Sequence, residues 1–147
     1  MPKKIFIRQV PLGKLMEVHD KIPEFEGAGY DLSAFEERLK GRNRISVAFA
    51  GKVPAGYMAS YERSADGSIY CWMAGVVPEY RRNGILTALM DDLEGWAKAE
   101  GYKKITIKTR NSRREMLAFL VRNGFDFTHV EPKGKIQENR ILLEKRL

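Results

Sequence analysis

The chain has 147 residues, enough for one domain (1–147) with a substantial core, and its 44% hydrophobic and 31% charged content is ordinary for a globular protein. A single cysteine, Cys71, excludes an intramolecular disulfide and any multi-cysteine zinc site, and two separated histidines give no metal-ligand spacing, so no metal is expected. The net charge of +7 is spread along the chain, which argues against a specific nucleic-acid partner and is equally compatible with a small polyanionic cofactor.

No apolar stretch approaches the roughly 20 residues that span a bilayer. The stretch "MPKKIFIRQVPLGK" holds no apolar core of signal-peptide length. The expectation is a cytoplasmic protein with no membrane partner.

In chain order, "KKIFIRQV" is a strand candidate, and "LGKLMEVHDKIPEF" shifts to helical spacing that Pro23 limits. "DLSAFEERLKG" predicts a second helix, with Ser33 as the cap, Glu36 completing a capping box and Gly41 as the stop. Three strand-like runs follow, "RISVAFAG", "VPAGYMASYER" and "GSIYCWMAGVV", separated by turns at Gly51-Lys52 and Asp66-Gly67, and they suggest an antiparallel meander. The third run is apolar on both parities, as a central strand is, and Gly75 near its end marks a bulge or a close backbone approach.

A third helix runs from Ile85 to Gly101, with Ile85, Leu86, Leu89, Met90, Leu93, Trp96 and Ala97 on one face. "KKITIKTR" is a strand, "SRREMLAFLVRNG" a fourth helix closed by Gly124, and "FDFTHVEP" and "NRILLEKRL" are terminal strands. The order β-α-α-β-β-β-α-β-α-β-β predicts a mixed α/β domain, its sheet mostly antiparallel with a strand–helix–strand crossover in the second half.

Between the central strand and the third helix lies "PEYRRNGILTAL". Backbone N–H groups at a helix N-terminus attract phosphate, Gly84 permits close approach, and Arg81 or Arg82 can add charge-assisted hydrogen bonds. The helix dipole contributes only about 0.3–1 kcal/mol, whereas micromolar binding needs about 8 kcal/mol. A phosphate site therefore needs the whole turn. The stretch has neither the P-loop pattern nor the three glycines of a dinucleotide fingerprint, so NTPase and NAD binding are unsupported.

"VVPEYRRNGILTALM" resembles the acyl-CoA-binding motif of the GCN5-related N-acetyltransferases, Gln/Arg-x-x-Gly-x-Gly/Ala after a bulged central strand, with Arg81, Gly84 and Leu86 at those positions. "TRNSRREMLAFLVRNGF" resembles the family's later Asn-helix-Gly-Phe segment, and the element order matches the family fold over nearly the full chain. The resemblance implies acetyl-CoA as cosubstrate. Ala74, Gly75 and Val76 would pair with its pantetheine arm like an added strand. Backbone groups of the Arg81, Arg82, Asn83, Gly84, Ile85, Leu86 and Thr87 turn would hold the pyrophosphate, and Asn111 would touch the arm. Leu86 departs from the family's small residue and is tolerable where its side chain points into the core.

The positions at which many relatives carry a tyrosine acid and some a glutamate base are Leu120 and Thr106 here, so no catalytic residue is assigned. In the family, the loop after the first helix often borders the acceptor pocket; Glu24, Glu26 and Tyr30 in "IPEFEGAGYDL", with Tyr70 on the central strand, are acceptor-side candidates, equally readable as solvated or core residues. The implied activity is acetyl transfer to a primary amine, small or on a basic peptide, by direct attack in a ternary complex. A noncatalytic acyl-CoA-binding or sensor module is the alternative. A homodimer is compatible with the sequence, which leaves the acceptor and the oligomeric state open.

Overall fold

Seven strands and four helices follow the expected order in the computed structural model, which describes residues 4–147. They are β1 (Ile5–Arg8), α1 (Leu12–His19), α2 (Leu32–Arg38), β2 (Asn43–Ala50), β3 (Val53–Tyr61), β4 (Ser68–Val76), α3 (Ile85–Ala99), β5 (Lys104–Arg110), α4 (Arg114–Arg122), β6 (Asp126–Glu131) and β7 (Arg140–Arg146). Single 3-10 turns stand at Pro23–Phe25, Pro78–Tyr80 and Ile136–Glu138. Lys3, where the first strand candidate begins, lies outside the described residues.

The strands form one sheet in the order β1-β2-β3-β4-β5-β7-β6, with β4 in the middle. Every neighbouring pair is antiparallel except β4 and β5, which run parallel because the α3 crossover joins them. Burial on both faces explains why β4 is apolar at both parities. Ile69, Cys71, Leu89, Leu93, Ile105 and Leu120 belong to the cluster under α3 and α4, while Leu15, Phe35, Tyr57 and Met73 belong to the one under α1 and α2. The Cys71 thiol, wholly buried, is pushed up to about 12.

Two expectations are corrected. The α2 cap is Asp31, whose carboxylate accepts from the Ala34 N–H at 2.9 Å, and Ser33 already lies inside the helix. The β4 irregularity is at Trp72, which has no partner between the Ala59–Met73 and Ser60–Cys71 pairs, whereas Gly75 pairs in regular register with Tyr57. Gly75 is small for the other anticipated reason. A Cβ there would lie 2.8 Å from both the Ile22 and Phe25 side chains.

The strand ends position the site. β4 pairs with β5 only from Ser68 to Cys71, against Lys104 to Ile107, although both strands continue. A gap therefore opens in the sheet at Trp72 and Lys108. α3 is fixed over one side of it by Asp92, whose carboxylate accepts from Arg44 at 2.8 and 3.1 Å and from the Ser46 hydroxyl at 2.7 Å.

Candidate active site

The turn from β4 to α3 is built from backbone conformations that most side chains disfavour. Arg82 has φ 65° and Gly84 φ 76°, both left-handed, and Arg82 is the one non-glycine residue of that kind among the described residues. Gly84 is the N-cap of α3 and no side chain caps the helix, so its first-turn N–H groups are left for solvent or a ligand. Asn83 supports the turn from inside, donating to the Tyr80 and Arg81 carbonyls at 3.0 and 3.1 Å.

A groove of about 900 Å³ lies between this turn, the last residues of β4 and the start of α4. Ala74, Gly75, Val76, Arg81, Arg82, Gly84, Ile85, Leu86 and Thr87 all line it, so the structure brings together nearly every residue named for cofactor binding. Asn83 and Asn111 are outside its lining. Asn111 instead donates to the Ile136 carbonyl at 3.2 Å and accepts from Arg114 at 3.0 Å, while its neighbours Ser112 and Arg113 face the groove. Leu86 is half-buried and lines the groove as well as packing on the core, so the condition for tolerating a large residue there is met only in part.

Five arginines, 81, 82, 113, 114 and 122, line the groove against two glutamates, 24 and 115. Arg114, Ala118 and Arg122 recur at four-residue spacing and share one face of α4, a signal legible in the sequence but missed for Arg122. Lys108 and Arg110 are directed elsewhere, to Glu131 at 3.2 Å and Glu138 at 3.6 Å.

The acceptor-side candidates separate. Glu24 sits on the groove wall, 2.7 Å from the Arg81 guanidinium, which also donates from Nε to the Val76 carbonyl at 3.1 Å. The hydrogen bond from Arg81 holds the Glu24 carboxyl below the usual carboxylate range. Glu26 and Tyr30 line a second hollow of about 500 Å³, beyond a wall of Ile22 and Phe25 that both spaces share. Tyr70 lines neither space; it is nine-tenths buried beside Tyr61.

His19, also at the second hollow, was not anticipated as a structural residue. Its Nδ1 lies 2.7 Å from the Tyr57 hydroxyl and its ring stacks on Phe25 at 5.1 Å. Burial lowers its pKa, against the opposing charge of Asp20, and burial raises that of the Tyr57 phenol.

The family model for the acetyltransferase (GNAT) family matches residues 13–125. The chain belongs to that family. A search of curated proteins found no significant match. Among solved structures, the GNAT chain is similar to a Bacillus subtilis acetyltransferase in complex with CoA, at 18% identity and TM-score 0.75, covering 99% of each chain. It is also similar to the PaiA N-acetyltransferase of Thermoplasma acidophilum in complex with coenzyme A, at 17% identity and TM-score 0.75, covering 98% of this chain and 99% of that one. Ard1 from Thermoplasma volcanium superposes at TM-score 0.82 and 16% identity, covering 97% of each. At such identities these likenesses show the GNAT fold.

Against that family's pattern, Leu120 at the tyrosine position is wholly buried in the core and offers no proton. Thr106 at the glutamate position pairs with Tyr70 on one side and Glu144 on the other, and the Glu144 carboxylate is held by Lys104 at 3.2 Å. Among the described residues no group of three or more His, Cys, Asp or Glu side chains is placed to hold a metal ion.

Proposed function

We propose that this GNAT chain transfers an acetyl group from acetyl-CoA to a primary amine by direct attack in a ternary complex. One observation carries the reading: an uncapped α3 N-terminus opens on a groove lined by five arginines and by Ala74 to Val76, the end of β4 beyond its pairing with β5. The cationic turn suits a pyrophosphate. The open β4 edge suits an extended arm that pairs like a strand. Glu24 is already neutralised by Arg81, so the rim stays cationic toward a polyanion. Acetyl-CoA has both of these parts.

The chemistry asks little of the missing tyrosine. An alkyl amine with a pKa of about 10 must lose a proton before its nitrogen can attack the thioester carbonyl. The C–N bond then forms, the C–S bond breaks, and the sulfur leaves as a thiolate that takes a proton. Neither Leu120 nor Thr106 is a titratable group, so neither takes part in these proton transfers, and the groove residues act by positioning the two reactants.

The test is calorimetry with acetyl-CoA followed by detection of free CoA thiol on a panel of amines. Saturable binding with turnover supports the transferase. Binding without turnover on any amine supports the acyl-CoA-binding module instead, and no binding removes both.

A further inference from the structure

The sheet face under α2 carries a second charged surface that cofactor binding does not use. Arg38 on α2 holds its guanidinium 5.2 Å from the Trp72 ring and donates to the Tyr61 hydroxyl at 3.3 Å. Arg63, in the loop after β3, lies 4.7 Å over the Tyr70 ring. Tyr61 meets Tyr70 at 5.7 Å and Trp72 at 6.1 Å, both edge-on, and Tyr30 stands edge-on to Trp72 at 5.5 Å.

Six of the thirteen arginines are ion-paired, and these two cations are not among them. Arg42, Arg44, Arg81, Arg82, Arg110 and Arg140 each have a carboxylate within 4.0 Å, whereas among the described residues Arg38 and Arg63 have none. A guanidinium stacked on a ring keeps its in-plane N–H edge free, the edge that binds a carboxylate through two parallel hydrogen bonds. Beside them, Tyr70 is nine-tenths buried, and burial raises its phenol pKa against the charges of Arg63 and, less so, Arg38.

The position of this surface gives it a role. Trp72 is the residue at which β4 leaves β5, two residues before the groove-lining Ala74, and the Arg38 guanidinium stands over its ring. Arg63 lies farther along β4, over Tyr70, two residues or about 7 Å before Trp72. An acceptor approaching on this face meets aromatic rings and two uncompensated positive charges.

We propose that Arg38, with Arg63 behind it, selects the acceptor: the amines acetylated by this protein carry a carboxylate, which the two guanidiniums and the Tyr70 hydroxyl receive. This rests on the acetyl-transfer reading of the groove. It differs from the basic peptide acceptor suggested by Glu24 and Glu26, of which Glu24 is paired with Arg81. The carboxylate can belong to a small amino acid or to an acidic side chain near a peptide's amino terminus.

The experiment uses matched pairs of acceptors. One arm is 4-aminobutyrate against its carboxamide; the other is a short peptide with a free amino terminus and Glu, or Gln, at its second and third positions. CoA-thiol release is expected to show a KM about tenfold lower for the carboxylate member of at least one pair, and the favoured pair says which source is used. Arg38→Gln should raise that KM to the level of the amide, Arg63→Gln should do so by a smaller factor, and neither should change the amide's KM or the acetyl-CoA Kd. Equal use of both members of each pair, or a preference that survives in the Arg38→Gln, Arg63→Gln double variant, would overturn the proposal.

If no acceptor turns over, the transfer reading fails on its own, and the acceptor surface is read by fluorescence titration of the CoA-bound protein. The two tryptophans are Trp72 and Trp96, and Trp72→Phe identifies the signal. A saturable Trp72 change with the carboxylate member only, weakened in Arg38→Gln, supports the proposal. The same response to both members, or none, overturns it.

Discussion

The groove at the start of α3 and the aromatic surface around Trp72 are built on different principles. At the α3 end the contacts come from one continuous stretch, residues 74–87, joined by α4, and they depend on backbone shape: left-handed Arg82 and Gly84, an uncapped helix, and a Gly75 that leaves room for its neighbours. At the Trp72 end the surface is assembled from the loop before α2, α2 itself, β3, the loop after it and β4, and it consists of side chains: Tyr30, Arg38, Tyr61, Arg63 and Tyr70. The α3 end is thus encoded locally. The Trp72 surface exists only after distant segments have packed together.

That contrast breaks first at Gly75. Gly75→Val drives carbon into Ile22 and Phe25, which lie 2.8 Å from the first added atom, and is expected to cost about 1–3 kcal/mol of stability. Because those two side chains also form the wall between groove and second hollow, acetyl-CoA binding should weaken with it. Unchanged melting temperature and Kd would show that the wall moves freely.

Gly84→Val has open space around it, so its expected cost of about 1–2 kcal/mol is conformational alone, and it should weaken acetyl-CoA roughly tenfold by turning the helix N-terminus. Arg82→Gly tests the same turn with opposite sign. Relief of its left-handed conformation should stabilise the fold by up to about 1 kcal/mol, and since the Arg82 side chain is 90% exposed, the loss of acetyl-CoA affinity should be smaller than for Gly84→Val. A larger loss in Arg82→Gly would shift the emphasis from backbone to side chain.

On the acceptor side, Tyr57→Phe leaves the buried His19 Nδ1 without its partner and is expected to cost about 1–2 kcal/mol in urea unfolding. His19 also sets a pH dependence. Burial lowers its folded pKa, so the unfolded chain takes up the proton first; the stability is fully present above the unfolded value and is lost as pH falls below about 6.5. Unfolding at about pH 5.5 and about pH 7.5 should show this decline, and His19→Gln should flatten it.

The smallest effect is that of Glu24→Gln. The pair with Arg81 is more than a third exposed, so its loss should cost no more than about 0.5 kcal/mol. Removing a negative charge from the groove should tighten acetyl-CoA binding slightly and leave the acceptor KM unchanged. A raised acceptor KM would return Glu24 to the acceptor side.

How much of this was legible follows from the same distinction. The order of elements and the Arg81–Thr87 turn could be read because hydrophobic period, glycine placement and helix start are local properties. The family resemblance supplied their meaning. The pairing of Glu24 was not legible because its partner Arg81 is 57 residues away, which no spacing rule contains. Gly75 was rightly singled out, yet the bulge falls at Trp72, since the offset depends on how β3 pairs with β4. Leu86 and Asn111 occupy the family's motif positions, but tertiary packing decides that one side chain lines the groove and the other braces a loop. Arg38 carried no motif and became notable only on the Trp72 ring.

The most direct test of the central claim is a single-turnover reaction of the protein with acetyl-CoA and a mixture of amines, read by mass spectrometry of the acceptors together with free CoA thiol. Acetyl transfer predicts one acetylated amine for each thiol released, with both products lost in Gly75→Val and Gly84→Val in proportion to their weakened acetyl-CoA binding. Saturable binding of acetyl-CoA with no acetylated amine and no thiol beyond spontaneous hydrolysis would contradict it.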